Sequence, residues 1–154
     1  MKNLIITLFV IMALGACTPD KPQYESTGDS NKKNPVEEVA DPTKGIGQIK
    51  NVTLHNPLDA ERVQRGMDIY EMKCSACHRL TEERLVGPGF KDVTKRRKPE
   101  WIMNMVTNVD VMLEQDKVAQ ELLELCLTRM PNQNVSIGDA RDILEYMRQN
   151  DGEK

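Results

Sequence analysis

A chain of 154 residues has room for one modest domain and little besides. Charged residues make up 29% and aromatics 4%, so a core built from side chains alone is weak unless something else fills it. A formal net charge of -3 gives no footing for a general nucleic-acid binder.

The chain begins with a short positive start at Lys2 and an apolar run over residues 4–14. That run falls short of the ~20 residues a membrane span needs and has the proportions of a signal-peptide core. Leu14-Gly15-Ala16-Cys17 follows, and it resembles the lipobox of bacterial lipoproteins. The resemblance implies removal of residues 1–16, lipidation of Cys17 and attachment to a membrane on the periplasmic side. The alternative is an ordinary signal cut beside Cys17 and a soluble product. Leu14 fits the lipobox and spoils a small-residue cleavage site ending at Ala16.

Residues 17–57 read as a lipid-anchored, disordered tether. Pro19, Pro22, Pro35, Pro42 and Pro57 are interleaved with Gly28, Gly45, Gly47 and many polar residues. Apolar residues there are sparse and without period, so the segment buries too little surface to offset its ordering entropy. His55, near its end, reads as a solvent-exposed histidine.

From residue 58 the pattern turns helical, and residues 58–151 form the domain. Asp59 predicts the cap of a helix to about residue 73, with Val63, Gly66, Met67 and Tyr70 on one face. Pro99 fits the first turn of a second helix, on which Trp101, Ile102, Met105, Val106 and Val109 share a face. A third helix is expected over residues 116–128, with Val118, Leu122, Leu125 and Cys126 as its apolar stripe. Ser136, with Asp139 three residues on, predicts the cap of a last helix that buries Ala140, Ile143, Leu144 and Met147. No strand alternation appears, and the fold class is all-α.

The chemistry sits in Cys74-Ser75-Ala76-Cys77-His78. Cys-x-x-Cys-His is the attachment signature of c-type haem. Two thiols one helical turn apart reach two vinyl groups of one porphyrin, and the next residue lies under the ring with its imidazole toward the iron. A redox Cys-x-x-Cys is expected after a strand, and none is predicted here. A structural zinc site takes four ligands, and beyond the motif the domain offers only Cys126. Cys126 itself reads as a buried, inert thiol.

Gly87-Pro88-Gly89 lies about ten residues past His78, and Met130-Pro131 precedes the last helix. With these the domain resembles a monohaem class I cytochrome c. The resemblance implies one covalent haem c on Cys74 and Cys77, with His78 as proximal ligand and the Pro88 carbonyl holding its other ring nitrogen. It implies Met130 as the second axial ligand, since relatives commonly present methionine there. Met112, in an expected loop, is the competitor; Met103, Met105 and Met147 read as core filler. Trp101 is expected either to hydrogen-bond a haem propionate or to pack over the ring. Gly66 and Tyr70 are expected to meet Leu144 and Tyr146 where the first and last helices cross.

Met/His ligation implies a one-electron carrier and not an enzyme. The expected partners are a quinol-oxidising donor and a terminal oxidase or reductase, nitrous oxide reductase among them, with no small-molecule substrate. A haem enzyme or sensor with a labile sixth ligand, peroxidase-like, is the alternative. Lys91, Lys95, Arg96, Arg97 and Lys98 form a basic patch that either steers an acidic partner or is a solvated loop.

Overall fold

The structure is a computed structural model and describes residues 41–154. Six α-helices carry the domain: α1 (Ala60–Lys73), α2 (Val93–Arg96), α3 (Pro99–Thr107), α4 (Val109–Gln115), α5 (Lys117–Cys126) and α6 (Ile137–Asn150). Among the described residues there is no strand, only an isolated bridge between His78 and Arg84. The architecture is the expected all-α one. The signal segment, Cys17 and residues 18–40 of the tether lie outside the described residues.

Helices α1 and α6 form the frame. The Asp59 carboxylate accepts from the N–H groups of Glu61 and Arg62 at 3.0 and 3.1 Å, satisfying donors that a helix start leaves open. At α6, Ser136 Oγ accepts from the Asp139 N–H at 3.1 Å while the Asp139 carboxylate accepts from the Ser136 N–H at 3.4 Å. The two helices cross at Gly66. A Cβ there would lie 2.1 Å from the Asp142 carbonyl oxygen and 2.9 Å from Tyr146 Cβ. Only glycine admits that approach, which offsets its poor helix propensity. One turn on, the Tyr70 and Tyr146 rings lie 5.7 Å apart. The expected crossing is therefore made through Asp142 and Tyr146, while Leu144 is fully buried in the core.

The crossing is also held by charge. Arg62 Nη1 and Arg65 Nε each donate to the Asp142 carboxylate at 2.6 Å, and Asp142 is buried. Burial pushes its carboxyl up, but the hydrogen bonds from Arg65 and Arg62 outweigh that and hold it below its ordinary 3.8.

The second expected helix is two. The chain breaks at Asn108, whose backbone leaves the helical region, and restarts as α4. Val109, Met112 and Leu113 of α4 are buried. Met112 thus lies in a helix and not in the expected loop. The third helix starts as expected, with Asp116 accepting from the Ala119 N–H at 2.9 Å, and ends at Cys126, short of residue 128.

The tether boundary at 57 is corrected over residues 41–57, which pack on the helical domain. Ile49 joins the core. The fully buried Asn104 amide donates to the Lys44 and Ile49 carbonyls at 3.1 and 2.9 Å and accepts from the Ile49 N–H at 3.1 Å. The Val52 N–H donates to Glu100 at 3.3 Å, the Ile46 N–H to Met112 Sδ at 3.0 Å, and Arg148 to the His55 carbonyl at 3.0 Å. Polar side chains of the helices thus supply the partners this irregular backbone needs. His55 itself is exposed, as expected.

Gly66→Val should cost about 3 kcal/mol in guanidinium denaturation, because the new side chain meets backbone rather than a movable tip. A depressed carboxylate stabilises the fold above its unfolded pKa and loses that contribution as pH falls through the folded one. Asp142→Asn should accordingly be less stable than the parent near neutrality, with the gap closing as the pH drops below 3.8 in urea titrations.

Candidate functional site

Helix α1 ends where the motif begins. The Cys74 N–H donates to the Tyr70 carbonyl at 2.8 Å, and the chain then tightens, with Cys77 and His78 N–H groups both donating to the Cys74 carbonyl at 3.0 and 2.9 Å. Tyr70 Oη donates to the His78 carbonyl at 2.7 Å. The motif is thus clamped to the same tyrosine that meets α6.

His78 is held on its other side by the Gly87-Pro88 segment. Its Nδ1 lies 2.9 Å from the Pro88 carbonyl oxygen. A carbonyl only accepts, so Nδ1 carries the proton and Nε2 keeps a lone pair. Burial lowers the pKa of the ring, the bond to Pro88 opposing, which favours that neutral form. Gly87 is required here: a Cβ would lie 2.2 Å from His78 Cε1. The Val86 and Gly87 N–H groups donate to the Cys77 carbonyl at 3.2 and 2.9 Å, tying the segment to the motif. Phe90 stacks on the imidazole, 4.5 Å between centroids and 19° between planes.

Cys77, His78, Pro88, Trp101 and Met130 line one cleft, whose empty volume is about 1110 Å³ with its open mouth included. Its walls are mainly apolar, with Ile102, Val106, Leu113 and Leu122 among them. Met130 reaches it from the loop after α5. Met105 and Met147 also line it, whereas Met112 does not; Met112 is fully buried, and its sulfur accepts from the Ile46 N–H. Cys74 is not among the lining residues; its thiol, raised by burial to about 11, is a poor thiolate at neutral pH. Among the described residues no three His, Cys, Asp or Glu side chains gather to hold a metal ion.

Two expectations change. The Trp101 indole N–H donates to the buried Asp116 carboxylate at 3.1 Å, so it is committed within the protein and the packing role remains. Cys126 is half-buried and lines the cleft rather than sitting inside the core. Phe90 and the arginines at the cleft were not foreseen as site residues. Phe90 follows Gly87-Pro88-Gly89 directly, and its aromatic ring was a usable signal. Arg97, whose guanidinium lies 5.4 Å over the Trp101 ring, was hidden within a basic run.

Among the described residues, the charged side chains lining the cleft are Arg96, Arg97 and Arg129, and none is a carboxylate. An apolar slot edged only by cations suits a large apolar ring that bears acidic groups. A family model described as cytochrome c matches residues 63–151. The chain belongs to the cytochrome c family. The cytochrome is 40% identical to a cytochrome c from Rhodothermus marinus of solved structure, with a TM-score of 0.69 over 72% of this chain and 97% of that one. An engineered form of that protein, Rma TDE, gives 39% and 0.68, with 72% and 98% covered. The same engineered form bound to a carbene intermediate gives 38% and 0.65, with the same coverage. No curated protein sequence matches the chain. One covalent haem c is the family's cofactor, and the cleft of this cytochrome fits it in polarity and charge.

Trp101→Phe keeps the ring and removes the donor to Asp116. Thermal or guanidinium unfolding should show a loss of about 1–2 kcal/mol, the cost of under-satisfying a buried acceptor.

Proposed function

We propose that this cytochrome is a membrane-anchored carrier that takes single electrons from a quinol-oxidising complex and delivers them to a terminal oxidase or reductase, nitrous oxide reductase being one acceptor of that kind. Cytochrome c membership supports electron transfer in general; the anchor, donor and acceptor are the finer part of the reading. The observation that carries it is that His78, its Nδ1 committed to Pro88, and Met130 line the same apolar cleft.

In this reading Cys74 and Cys77 would fasten the haem through thioethers. His78 Nε2 and Met130 Sδ would hold the iron. The group would supply a reversible one-electron couple. The rest falls to the chain. The Pro88 carbonyl fixes the tautomer and orientation of His78 and raises its basicity. Phe90 keeps the ring from turning. The apolar walls exclude water, and Trp101 packs at the edge of the cleft, under Arg97.

Lipidation of Cys17 would hold the protein at a membrane facing the periplasm. Among the described residues no helix is long and apolar enough to cross a membrane. The anchor reading rests on the Leu14-Gly15-Ala16-Cys17 sequence. More than one acyl chain on that cysteine gives stable anchoring, where a single chain does not.

Met130→Ala should abolish the sulfur-to-iron absorption band of the ferric protein, and Met112→Ala should leave it intact. The reverse result would transfer the ligand role to Met112, and a parent protein without the band would favour the haem-enzyme reading. Cys17→Ser should release the protein from isolated membranes into the soluble fraction; unchanged membrane retention would remove the anchor.

A further inference from the structure

Met130 stands on a loop with little to hold it. Among the described residues, the backbone over residues 128–135 makes no hydrogen bond to other backbone. Of residues 127–134 only Met130 and Gln133 are even half-buried. Two non-glycine residues in the left-handed region bound the loop, Leu127 with a φ of 56° and Asn134 with a φ of 51°. Asparagine tolerates that region, whereas a leucine there is unfavourable. The Asn134 N–H donates to Asn132 Oδ1 at 2.8 Å, a bond that stays within the loop. Such a segment does not by itself fix the place of a ligand.

Among the described residues, one bond joins this backbone to another element. Lys73 Nζ donates to the Gln133 carbonyl at 3.1 Å. Lys73 is the last residue of α1 and directly precedes Cys74. Lys91, Lys95 and Lys98 pair with Glu82, Asp92 and Asp41, and Lys44 pairs with Glu100. Among the described residues Lys73 meets no carboxylate, and its ammonium goes to a main-chain oxygen instead. Arg84, on the other flank of the motif, donates from Nη1 to the Leu125 carbonyl at 2.6 Å. That carbonyl is one of those a helix end leaves open. Both ends of the loop are thus tied to residues flanking the segment that bears Cys74, Cys77 and His78. Arg129, next to Met130, pairs with Asp110 at 3.0 Å, but it is 48% exposed and such a pair adds little.

We propose that Lys73 is a positioning residue for Met130. By holding the Gln133 carbonyl it keeps the Met130 loop seated at the cleft, and so it decides how readily another ligand takes that place on the iron. This rests on the reading of Met130 as an iron ligand. Lys73 does not line the cleft and acts through the short stretch of backbone between Gln133 and Met130. The bond exists when the loop is seated and is lost when the loop lifts. Removing it therefore destabilises the seated state alone and shifts the balance toward the lifted one.

The test uses the full-length ferric holoprotein and imidazole, which competes with methionine for haem iron. Imidazole affinity is read from loss of the sulfur-to-iron band, and global stability from guanidinium unfolding followed by circular dichroism. Lys73→Met keeps the length of the side chain and removes its donors; Lys73→Ala repeats the loss with a shorter side chain. Each should bind imidazole on the order of tenfold more tightly than the parent, as expected for one lost hydrogen bond from a charged donor. Lys73→Arg, which keeps donors and charge, should stay within about twofold of the parent. The difference should persist in about 1 M salt, where charges are screened beyond ~3 Å. Parent-like affinity in Lys73→Met and Lys73→Ala overturns the proposal, and a lowered unfolding midpoint beside it assigns Lys73 a structural role only. A gain that salt removes, or that Lys73→Arg shares in full, overturns it as well. A parent without the band strikes the Met130 reading itself and takes the proposal with it; a parent with the band and unchanged variants strikes the proposal alone.

Discussion

The hydrogen bond from His78 Nδ1 to the Pro88 carbonyl, 2.9 Å long, governs what this chain can do with its central motif. It fixes the tautomer, leaves Nε2 as the one ring nitrogen free for a metal, and stops the imidazole from turning. Much nearby serves it. Gly87 is bare because a Cβ would collide with the ring, and Phe90 closes the ring's face. The Cys77 carbonyl receives the Val86 and Gly87 N–H groups, so the segment that carries Pro88 is tied to the motif it supports.

That bond holds only if the motif itself is placed, and placement comes from the helix frame. Tyr70 joins the two levels: its ring lies against Tyr146 of α6, and its hydroxyl holds the His78 carbonyl. The bare backbone at Gly66 lets α1 and α6 approach closely enough for that ring contact, and the Arg62 and Arg65 pairs with Asp142 lock it. On the far side, Asn104 binds the segment over residues 41–57 to α3, and Met112 is consumed in the same packing. Met130 is left on a loop at the cleft, next to a proline that bars a helix.

Much of this was legible in the residues, because its signals are local. Asp59 and Ser136 are caps whose partners lie within three residues, and they located two helix starts. Cys74, Cys77 and His78 stand in a motif that a short spacing expresses, whereas Pro88 and Met130 were singled out by the resemblance to class I cytochromes c. What escaped the reading depends on distant contacts. Residues 41–57 have the composition of a tether, and side chains far along the chain, Asn104, Glu100, Met112 and Arg148 among them, give their backbone partners. Helix α4 is short and lacks a side-chain cap, so its apolar residues read as the tail of α3 and a loop. The Trp101 N–H met Asp116, fifteen residues on, and no periodicity announces such a bond. The basic run looked free in sequence because two of its counterions, Asp41 and Glu82, lie outside it.

The proposed electron transfer requires that two side chains of this chain, His78 and Met130, ligate the haem iron. Low-temperature near-infrared magnetic circular dichroism of the ferric full-length holoprotein tests it most directly. The account predicts a low-spin signature of histidine–methionine ligation. A high-spin signature, or one of histidine with water or hydroxide, would contradict it.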